Sequence, residues 1–290
     1  MHHITPLDPG SFDPRRLAPI SHDFQHHPLL QLDALGDLAR RLMPLQKCRF
    51  VKPGMRVDSS FDHFSVPPDG RDLEDVLRNI EEPGSWLALY DAQLDPVYRE
   101  VLRDVAAHIE RLVAPAQKVR DVRSFLFVSA PPSVTPFHID RENNFWLQIR
   151  GRKTLTLWDH RDRSVVPVEA VERFILFGDM QDVRMAPDAL ERGRQFNCGP
   201  GDGVYFPSTT PHMTETHPDR NGGDTLSISV GMVFYTDVTS RDMKVMMLNH
   251  QLRRLGIRLR EPGDSALRDS FKAVLGRSLW PLRRIILRKG

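Results

Sequence analysis

Residues 135–153 read TPFHIDRENNFWLQIRGRK and carry the most informative pattern of the chain. The beginning of this stretch is extended, and positions i and i+2 of an extended segment project to the same side. His138 and Asp140 can therefore offer an imidazole nitrogen and a carboxylate oxygen to one metal ion. The part from Phe145 to Arg150 is typical of a strand.

On both sides of this segment, from about residue 121 to 236, the side-chain pattern repeats with a period of two residues. It predicts strands over residues 124–129, 145–150, 154–158, 204–206 and 225–235, separated by Pro and Gly turns. In the last strand the small side chains of Ser227, Ser229 and Gly231 alternate with apolar ones, so one face is expected to line a cavity or solvent. Short strands with such turns favour a β-sandwich or a closed barrel.

The regions on either side of this core are predicted to be helical or irregular. Prolines divide the first hundred residues into short pieces such as Leu29 to Leu42, and Asp95-Pro96 predicts the start of a helix that ends by Pro115. The predicted organisation is an N-terminal extension (1–120) that packs on a β core (121–236), followed by a C-terminal helical segment (237–290), all in one structural unit. The tail 278–290, SLWPLRRIILRKG, is basic and amphipathic; we favour a packing or dimer helix over docking on a membrane or an acidic partner.

Composition excludes several classes of protein. The 290 residues include 40 Lys and Arg against 38 Asp and Glu, and the resulting charge of +2 gives no support for a nucleic-acid partner. No apolar run approaches the length of a membrane span. Cys48 and Cys198 lie far apart and outside any C-x-x-C motif, which excludes a disulfide scaffold or a zinc knuckle. A cytoplasmic location is expected.

A metal ion held by His138 and Asp140 needs one more histidine from another strand. Two histidines and one carboxylate leave three coordination positions of iron(II) open. His212 is the chosen candidate, because it follows a turn and a short strand at 201–207 (GDGVYFP); His217 is its competitor. The spacing H-x-[D/E] is weak alone, since it also begins at the three positions His108, His160 and His217.

Six features then occur in a fixed order: TPFHID (135–140), Asn144, QIRGRK (148–153), GDGVYFP (201–207), His212 and NGG (221–223). Together they resemble the JmjC branch of the cupin-fold iron(II)/2-oxoglutarate oxygenases, with a pattern closest to the protein hydroxylase known as factor inhibiting hypoxia-inducible factor. The resemblance runs from about residue 124 to 235. It implies an α+β fold with a mainly β core, a double-stranded β-helix (jelly roll) with helical additions at both ends.

The resemblance also implies roles for individual residues. His138, Asp140 and His212 would bind Fe(II), Lys153 and Thr135 would hold the distal carboxylate of 2-oxoglutarate, and Asn144 would contact its other end. The lysine also has a physical argument, because a carboxylate deep in a barrel needs a cation and the strand from Thr225 to Tyr235 has none. The alternative for Lys153 is a solvated turn residue after Gly151.

Two departures from the family pattern are visible. Gly231 stands where the hydroxylase has an asparagine near the cosubstrate. The upstream tyrosine of that enzyme has no clear counterpart; Tyr90 and Trp86 are candidates, and a core aromatic is the favoured interpretation of both.

The expected function is therefore an oxygenase that uses Fe(II) and 2-oxoglutarate to hydroxylate a C–H bond, with release of succinate and CO2. Its substrate is a protein, a peptide or a small molecule, and a homodimer through the C-terminal helices is a further prediction. Asp140 favours hydroxylation over halogenation, because related halogenases lack that carboxylate. The main alternative is a non-catalytic, metal-binding cupin-like scaffold or regulatory module. A cupin isomerase or a cosubstrate-free dioxygenase would want more histidines, and a DNA-binding regulator would want a recognition helix.

Two segments are expected to shape the mouth of the barrel, the N-terminal extension and the insertion from Asp159 to Asn197, because loops beside a rigid scaffold usually set specificity. The insertion contains an apolar run, Phe174 to Phe177. We interpret it as a buried strand, with a lid as the alternative.

Overall fold

Two antiparallel β-sheets form the centre of the computed structural model, which describes residues 3–52, 54–57, 59, 61–217 and 225–277. The strands are β1 Ile4–Pro6, β2 Ala18–His22, β3 Cys48–Phe50, β4 Trp86–Tyr90, β5 Val119–Ser129, β6 Ser133–His138, β7 Asn143–Arg150, β8 Lys153–Leu157, β9 Arg194–Cys198, β10 Asp202–Phe206, β11 His212–Thr216 and β12 Ser227–Thr236. The α-helices are α1 Leu32–Leu42, α2 Leu73–Arg78, α3 Pro96–Val113, α4 Val168–Phe177, α5 Asp237–Arg253 and α6 Ala266–Gly276.

The major sheet has eight strands in the order β1-β2-β10-β7-β12-β5-β4-β3, and the minor sheet has four in the order β6-β11-β8-β9. The inner faces of the two sheets pack on one another where Trp146 and Phe206 of the major sheet join Leu155 and Leu157 of the minor sheet in one buried cluster. This arrangement of antiparallel strands is the predicted jelly roll.

Alternation along the strands decides what each face contacts. In β12 the apolar members Ile228, Val230 and Met232 belong to the large core that the major sheet shares with α1 and α3. Ser227 and Ser229 lie on the opposite face and are fully buried. The small polar face predicted from the sequence is therefore turned to the interior between the sheets and away from solvent.

The N-terminal extension is less irregular than predicted. Its strands β1 and β2 lie at one edge of the major sheet, next to β10, and its strands β3 and β4 lie at the other edge, next to β5. The sequence does not reveal these strands, because each is three to five residues long and shows little alternation. Residues 1–120 therefore supply half of the strands of the major sheet in addition to packing on it.

Helix α3 begins as predicted. Asp95 is its N-cap, and its carboxylate accepts hydrogen bonds from the backbone N–H groups of Val97 and Tyr98 at 3.0 and 3.3 Å. The helix ends at Val113, close to the predicted limit at Pro115. Its buried stripe consists of Tyr98, Leu102, Val105, Ile109 and Val113.

The apolar run in the insertion is buried, as expected, but the prediction of a strand was wrong. Residues Phe174 to Phe177 form the last turn of helix α4, which packs with α5 on the outer face of the minor sheet. A short apolar run shows neither the helical nor the strand period, so the sequence alone does not distinguish a buried helix from a buried strand. The run makes part of a second core cluster and is not a lid.

The C-terminal region is helical, as predicted, with Met243, Met246 and Met247 of α5 buried against the minor sheet. The basic tail 278–290 and the motif at 221–223 lie outside the described residues. Within the part of the chain that the structure describes, no helix has both the length and the apolar character that crossing a membrane requires. Cys48 and Cys198 are buried free thiols.

A buried ion pair fastens α4 to α5. Both carboxylate oxygens of Glu172, a fully buried residue, accept hydrogen bonds from Nε of Arg253 at 3.2 and 3.1 Å. Burial raises the pKa of Glu172 to about 7, although Arg253 opposes this rise. The guanidinium of Arg253 also donates to the carbonyl of Leu259 at 2.9 Å.

We predict that Arg253→Met lowers the free energy of unfolding by about 3 kcal/mol at pH 8, because it leaves a buried carboxylate without a partner. The loss is smaller at pH 5.5, since Glu172 prefers its neutral form in the fold and takes up a proton there. Urea unfolding at both pH values measures the difference. Arg40→Met, which breaks an exposed pair with Glu74, is the matched control and costs less than about 1 kcal/mol. An Arg253→Met loss that is independent of pH, or as small as that of the control, would contradict the prediction.

Candidate metal centre and cosubstrate pocket

Three side chains that are distant in sequence meet at one end of the two sheets. His138 is the last residue of β6, His212 is the first residue of β11, and these two residues are direct cross-strand partners. Asp140 follows β6 by two residues. One ligand atom from each of the three lies within 4.8 Å of the others. Oδ2 of Asp140 is 3.9 Å from Nε2 of His138 and 3.6 Å from Nε2 of His212.

Both imidazole rings are oriented by the backbone. Nδ1 of His138 lies 2.7 Å from the carbonyl oxygen of Pro136, and Nδ1 of His212 lies 2.9 Å from that of Thr210. Because a carbonyl only accepts, each Nδ1 carries the proton and donates it, which leaves the lone pair on Nε2. Burial, reinforced by His138, holds the pKa of His212 well below its ordinary value. The neutral imidazole is the form that binds a metal ion.

A loop that the sequence analysis did not single out holds the three side chains in place. Thr209 N–H donates to the carbonyl of Asp140 at 2.8 Å, and Ser208 Oγ donates to that of Arg141 at 2.7 Å. The side chain of Asn143 accepts from Ser208 N–H at 3.0 Å and donates to the Thr239 hydroxyl at 2.9 Å. The loop before His212 is thus tied to the turn that carries Asp140, and the spacing of the ligands follows from these bonds.

Lys153 lies deep between the sheets, at the start of β8. It is 4% exposed, and its Nζ donates to Oγ of Ser129 at 3.1 Å. Oγ of Ser129 in turn lies 3.2 Å from the hydroxyl of Thr216. Burial lowers the pKa of Lys153 to about 8, and no carboxylate among the described residues lies within ion-pair distance of it. The alternative of a solvated turn residue was wrong, because the turn ends one residue earlier.

Gly151 makes that turn possible. Its φ of +67° lies in the left-handed region, and a Cβ there would approach the carbonyl oxygen of Leu226 to 2.2 Å. Only glycine allows the chain to leave β7 so close to the start of β12. The next strand then begins with Lys153 on the inner face.

The other two predicted cosubstrate ligands also border this interior. Asn144 in β7 is 6% exposed, and its Oδ1 has no hydrogen-bond partner. Its side chain fills the space beside Gly231, since a Cβ at 231 would lie 3.3 Å from that oxygen. Thr135 in β6 is half-buried and faces Thr214 of β11. The small residue at 231 therefore leaves room for the amide of Asn144.

Comparison with known proteins agrees with this architecture. Residues 103–239 match the JmjC domain family. This matched segment contains all six residues predicted to bind the metal ion or the cosubstrate, and the predicted jelly-roll fold of the JmjC and cupin type is confirmed. No curated protein matches the chain.

Several solved structures resemble the chain at low sequence identity. The ribosomal oxygenase YcfD from Escherichia coli, in complex with cobalt and 2-oxoglutarate, is 13% identical with a TM-score of 0.49 over 96% of this chain and 67% of that one. Its complex with cobalt and succinic acid is 14% identical, with a TM-score of 0.49 over 96% of this chain and 67% of that one. A further X-ray structure of E. coli ycfD is 13% identical, with a TM-score of 0.49 over 91% of this chain. The chain spans only 62% of that last structure's length.

Aromatic side chains of the N-terminal extension lie next to the metal cluster. The ring of Phe61 lies 4.7 Å from that of His138 and 6.3 Å from that of Trp86. His63 contacts Tyr90 edge-on at 5.8 Å, and Tyr90 stacks on Phe125 at 4.4 Å. Phe61 and His63 were not predicted from the sequence, because they lie in a Pro-rich segment without a regular alternation of apolar and polar residues.

The competing histidines lie elsewhere in the described structure. The side chain of His217 is 60% exposed and points to Glu215, with 3.9 Å between Nε2 and the carboxylate. His108 on α3 bonds to the carbonyl of Ile4, and His160 lies beside Asp159 outside the cluster. Among the described residues, the pair His138 and Asp140 is therefore the one that the structure brings to a second histidine.

Proposed function

We propose that the chain is an Fe(II)- and 2-oxoglutarate-dependent oxygenase that hydroxylates a C–H bond and releases succinate and CO2. The observation that carries the proposal is the cluster of His138, Asp140 and His212 at the end of a JmjC-type jelly roll. We also propose the residue roles that the resemblance implies, and a particular likeness to factor inhibiting hypoxia-inducible factor.

The donor set fits iron(II). Two imidazoles present Nε2 and one carboxylate presents Oδ2 within 4.8 Å of one another, which is the donor set of the 2-His-1-carboxylate triad that non-haem iron(II) oxygenases use. The side chain of Asp140 is 38% exposed, whereas those of both histidines are 7% exposed, so the open side of the cluster lies next to the aspartate. The hydrogen bonds to the backbone carbonyls hold both rings in the tautomer that binds metal.

The interior next to the cluster fits 2-oxoglutarate. We propose that Lys153 pairs with the distal carboxylate, that Thr135 adds a hydroxyl hydrogen bond, and that Asn144 contacts the end nearer to the metal. Bound together, iron(II) and 2-oxoglutarate activate dioxygen for C–H hydroxylation. The ammonium of Lys153 is buried without a carboxylate partner in the described part of the chain, and this supports the pairing, because such a charge is costly until an anion neutralises it.

We propose that the substrate is a protein, a peptide or a small molecule, and that the N-terminal extension, whose Phe61 ring lies next to His138, helps to shape its binding site. We further propose a homodimer through the C-terminal helices. Leu267, Phe271 and Val274 of α6 are 85%, 68% and 71% exposed and follow one another at helical spacing, which gives that helix an uncovered apolar face. The cytoplasmic location stays a prediction.

The test is conversion of 2-oxoglutarate to succinate by the purified chain, followed by NMR with and without iron(II). Succinate that forms only with iron(II) is the expected result. A chain that binds metal ion but no 2-oxoglutarate in calorimetry with zinc(II) would instead be the metal-binding scaffold, which is the second candidate. The departure at Gly231 and the unplaced upstream tyrosine motivate that alternative, whereas the room that Gly231 leaves for the amide of Asn144 favours the oxygenase.

A further inference from the structure

One arginine lies on the face of the major sheet that is turned to the minor sheet. Arg49 of β3 is the direct cross-strand partner of Ala88 of β4, so their side chains share one face. Alternation along β4 places Trp86 on the same face, and Trp86 is opposite Ser129, the residue that Lys153 of the minor sheet contacts. Arg49 therefore belongs to the inner face, at one edge of the major sheet.

The guanidinium of Arg49 is held in place by the backbone and by a ring. Its Nη1 donates to the carbonyl oxygens of Gln46 and Cys48 at 2.7 and 2.8 Å. Its Cζ lies 5.2 Å from the centre of the Tyr90 ring, within the range of a cation–π contact. Nε and Nη2 have no hydrogen-bond acceptor among the described residues, and both belong to the planar fork with which arginine binds a carboxylate.

The basic residues on either side of Arg49 have carboxylate partners. Lys47, which precedes β3, pairs with Asp91 at 2.7 Å, and Arg123 of β5 pairs with Glu142. Within the part of the chain that the structure describes, no carboxylate lies within ion-pair distance of Arg49. A half-buried cation that is held by neutral carbonyls alone favours an anion from outside the chain.

Tyr90 relates this cation to the metal cluster. Burial raises the pKa of the Tyr90 hydroxyl, the charge of Asp140 raises it further, and Arg49 opposes the rise. The phenol is therefore within electrostatic reach of both charges. Its ring contacts His63 edge-on at 5.8 Å. His63 in turn contacts Phe61 at 5.7 Å, and Phe61 lies beside the first of the two metal-binding imidazoles.

The inner face around Arg49 is lined by aromatic rings that stay in part exposed. Phe127 of β5 is the cross-strand partner of Ala88, the neighbour of Arg49. Phe125 is the partner of Tyr90 and stacks on it at 4.4 Å. These three rings are half-buried although they lie on an inner face, so they border a space between the sheets. An apolar space with one fixed cation is suited to an organic anion.

We propose that Arg49 binds a carboxylate of the substrate, so that the enzyme hydroxylates acidic substrates. The inference rests on the proposed function and names its substrate class: the carboxylate belongs to a peptide or to a free amino acid. The unused edge of the guanidinium offers two parallel N–H donors to the two carboxylate oxygens. Arg49 is thus a specificity-determining residue, and the rings of Tyr90 and Phe125 pack beside the bound group.

The test compares acidic probes with their amides in the same assay. The purified protein, with iron(II) and saturating 2-oxoglutarate, receives short peptide libraries with Glu or Gln at the central position and no other acidic residue. Separate arms use free glutamate and free glutamine. NMR measures the succinate formed above the level without a probe. In the wild type we expect the acidic probe of one arm to be about 10- to 100-fold more effective than its amide, the range for a hydrogen bond to a charged group. The arm that responds identifies the source of the carboxylate.

Arg49→Met removes the guanidinium and keeps an unbranched side chain. We expect the preference for the acidic probe to fall below about twofold in this variant, since methionine offers no donor. Arg49→Lys keeps the charge without the fork and should retain a reduced preference. Lys52→Met is the matched control, because the Lys52 ammonium also lies over a ring, that of Phe64 at 5.7 Å, but follows the end of β3. This control should keep the full preference.

The outcomes separate this inference from the proposed function. Wild-type protein that forms no succinate under any of these conditions overturns both. Succinate formation without a preference for an acidic probe in either arm overturns only the role of Arg49, as does a preference that Arg49→Met retains. If Arg49→Met fails to fold, Arg49→Lys decides: an unchanged preference overturns the inference and a reduced one supports it.

Discussion

Asp140→Ala is expected to abolish iron(II)-dependent formation of succinate and to weaken metal binding strongly. Among the described residues the carboxylate is one of three protein donors, and its Oδ2 lies 3.9 and 3.6 Å from the two Nε2 atoms that complete the set. Replacing a hydrogen-bond partner of a metal ligand already costs about 10- to 100-fold in affinity or activity, so loss of a ligand costs more. His138→Ala is expected to behave in the same way.

Zinc(II) calorimetry and NMR detection of succinate measure the two effects separately. The chain supplies its own controls, because Asp162→Ala removes the acid of another H-x-D pair and His217→Ala removes an exposed histidine near the end of β11. Both controls should retain metal affinity and turnover. An Asp140→Ala protein that forms succinate at the full rate would rule out the metal site and the activity that depends on it.

The strands that carry the site were predictable where alternation was strong. In β12 the switch between small and apolar side chains fixes which face is turned inward, and β7 adjoins the predicted H-x-D pair. The order of His138, Asp140 and His212 followed from motif spacing and the family resemblance. Whether β6 and β11 would be neighbours did not, since strand pairing depends on contacts far apart in sequence.

Other parts of the site left no periodic signal. The bonds of Asn143 to Ser208 and Thr239 join three separate segments through single side chains. Trp86 was interpreted as a core aromatic, because an apolar strand indicates burial alone; that its Nε1 has no hydrogen-bond partner among the described residues is visible only in three dimensions. Strands of three to five residues at the edges of the major sheet are too short for their type to be recognised.

Lys153→Met is expected to remove 2-oxoglutarate binding and, at the same time, to make the ligand-free protein more stable. The two effects have one cause. Among the described residues the buried ammonium has the hydroxyl of Ser129 as its one partner, so its charge is costly in the ligand-free protein and favourable once a carboxylate is bound. Methionine has a similar length, carries no charge and packs readily among apolar side chains.

The size and pH dependence of the stability gain follow from the pKa of Lys153, which burial lowers from 10.5 to about 8. This difference corresponds to about 3 kcal/mol, and loss of the hydrogen bond to Ser129 reduces the net gain to about 2 kcal/mol. Below pH 8 the lysine is charged in both the native and unfolded states, so the gain is largest there. Between pH 8 and 10.5 the native lysine loses its proton before the unfolded one does, so the wild type is stabilised and the gain shrinks.

Thermal and urea unfolding with and without zinc(II) and 2-oxoglutarate check both effects. The cosubstrate should stabilise the wild type by mass action and leave Lys153→Met unchanged. Lys47→Met, which removes a lysine paired with Asp91 near the surface, should neither gain stability nor lose cosubstrate binding. A less stable Lys153→Met protein that still binds 2-oxoglutarate would mean that this ammonium serves the fold itself. The distal carboxylate of 2-oxoglutarate would then have to be bound by residues other than Lys153.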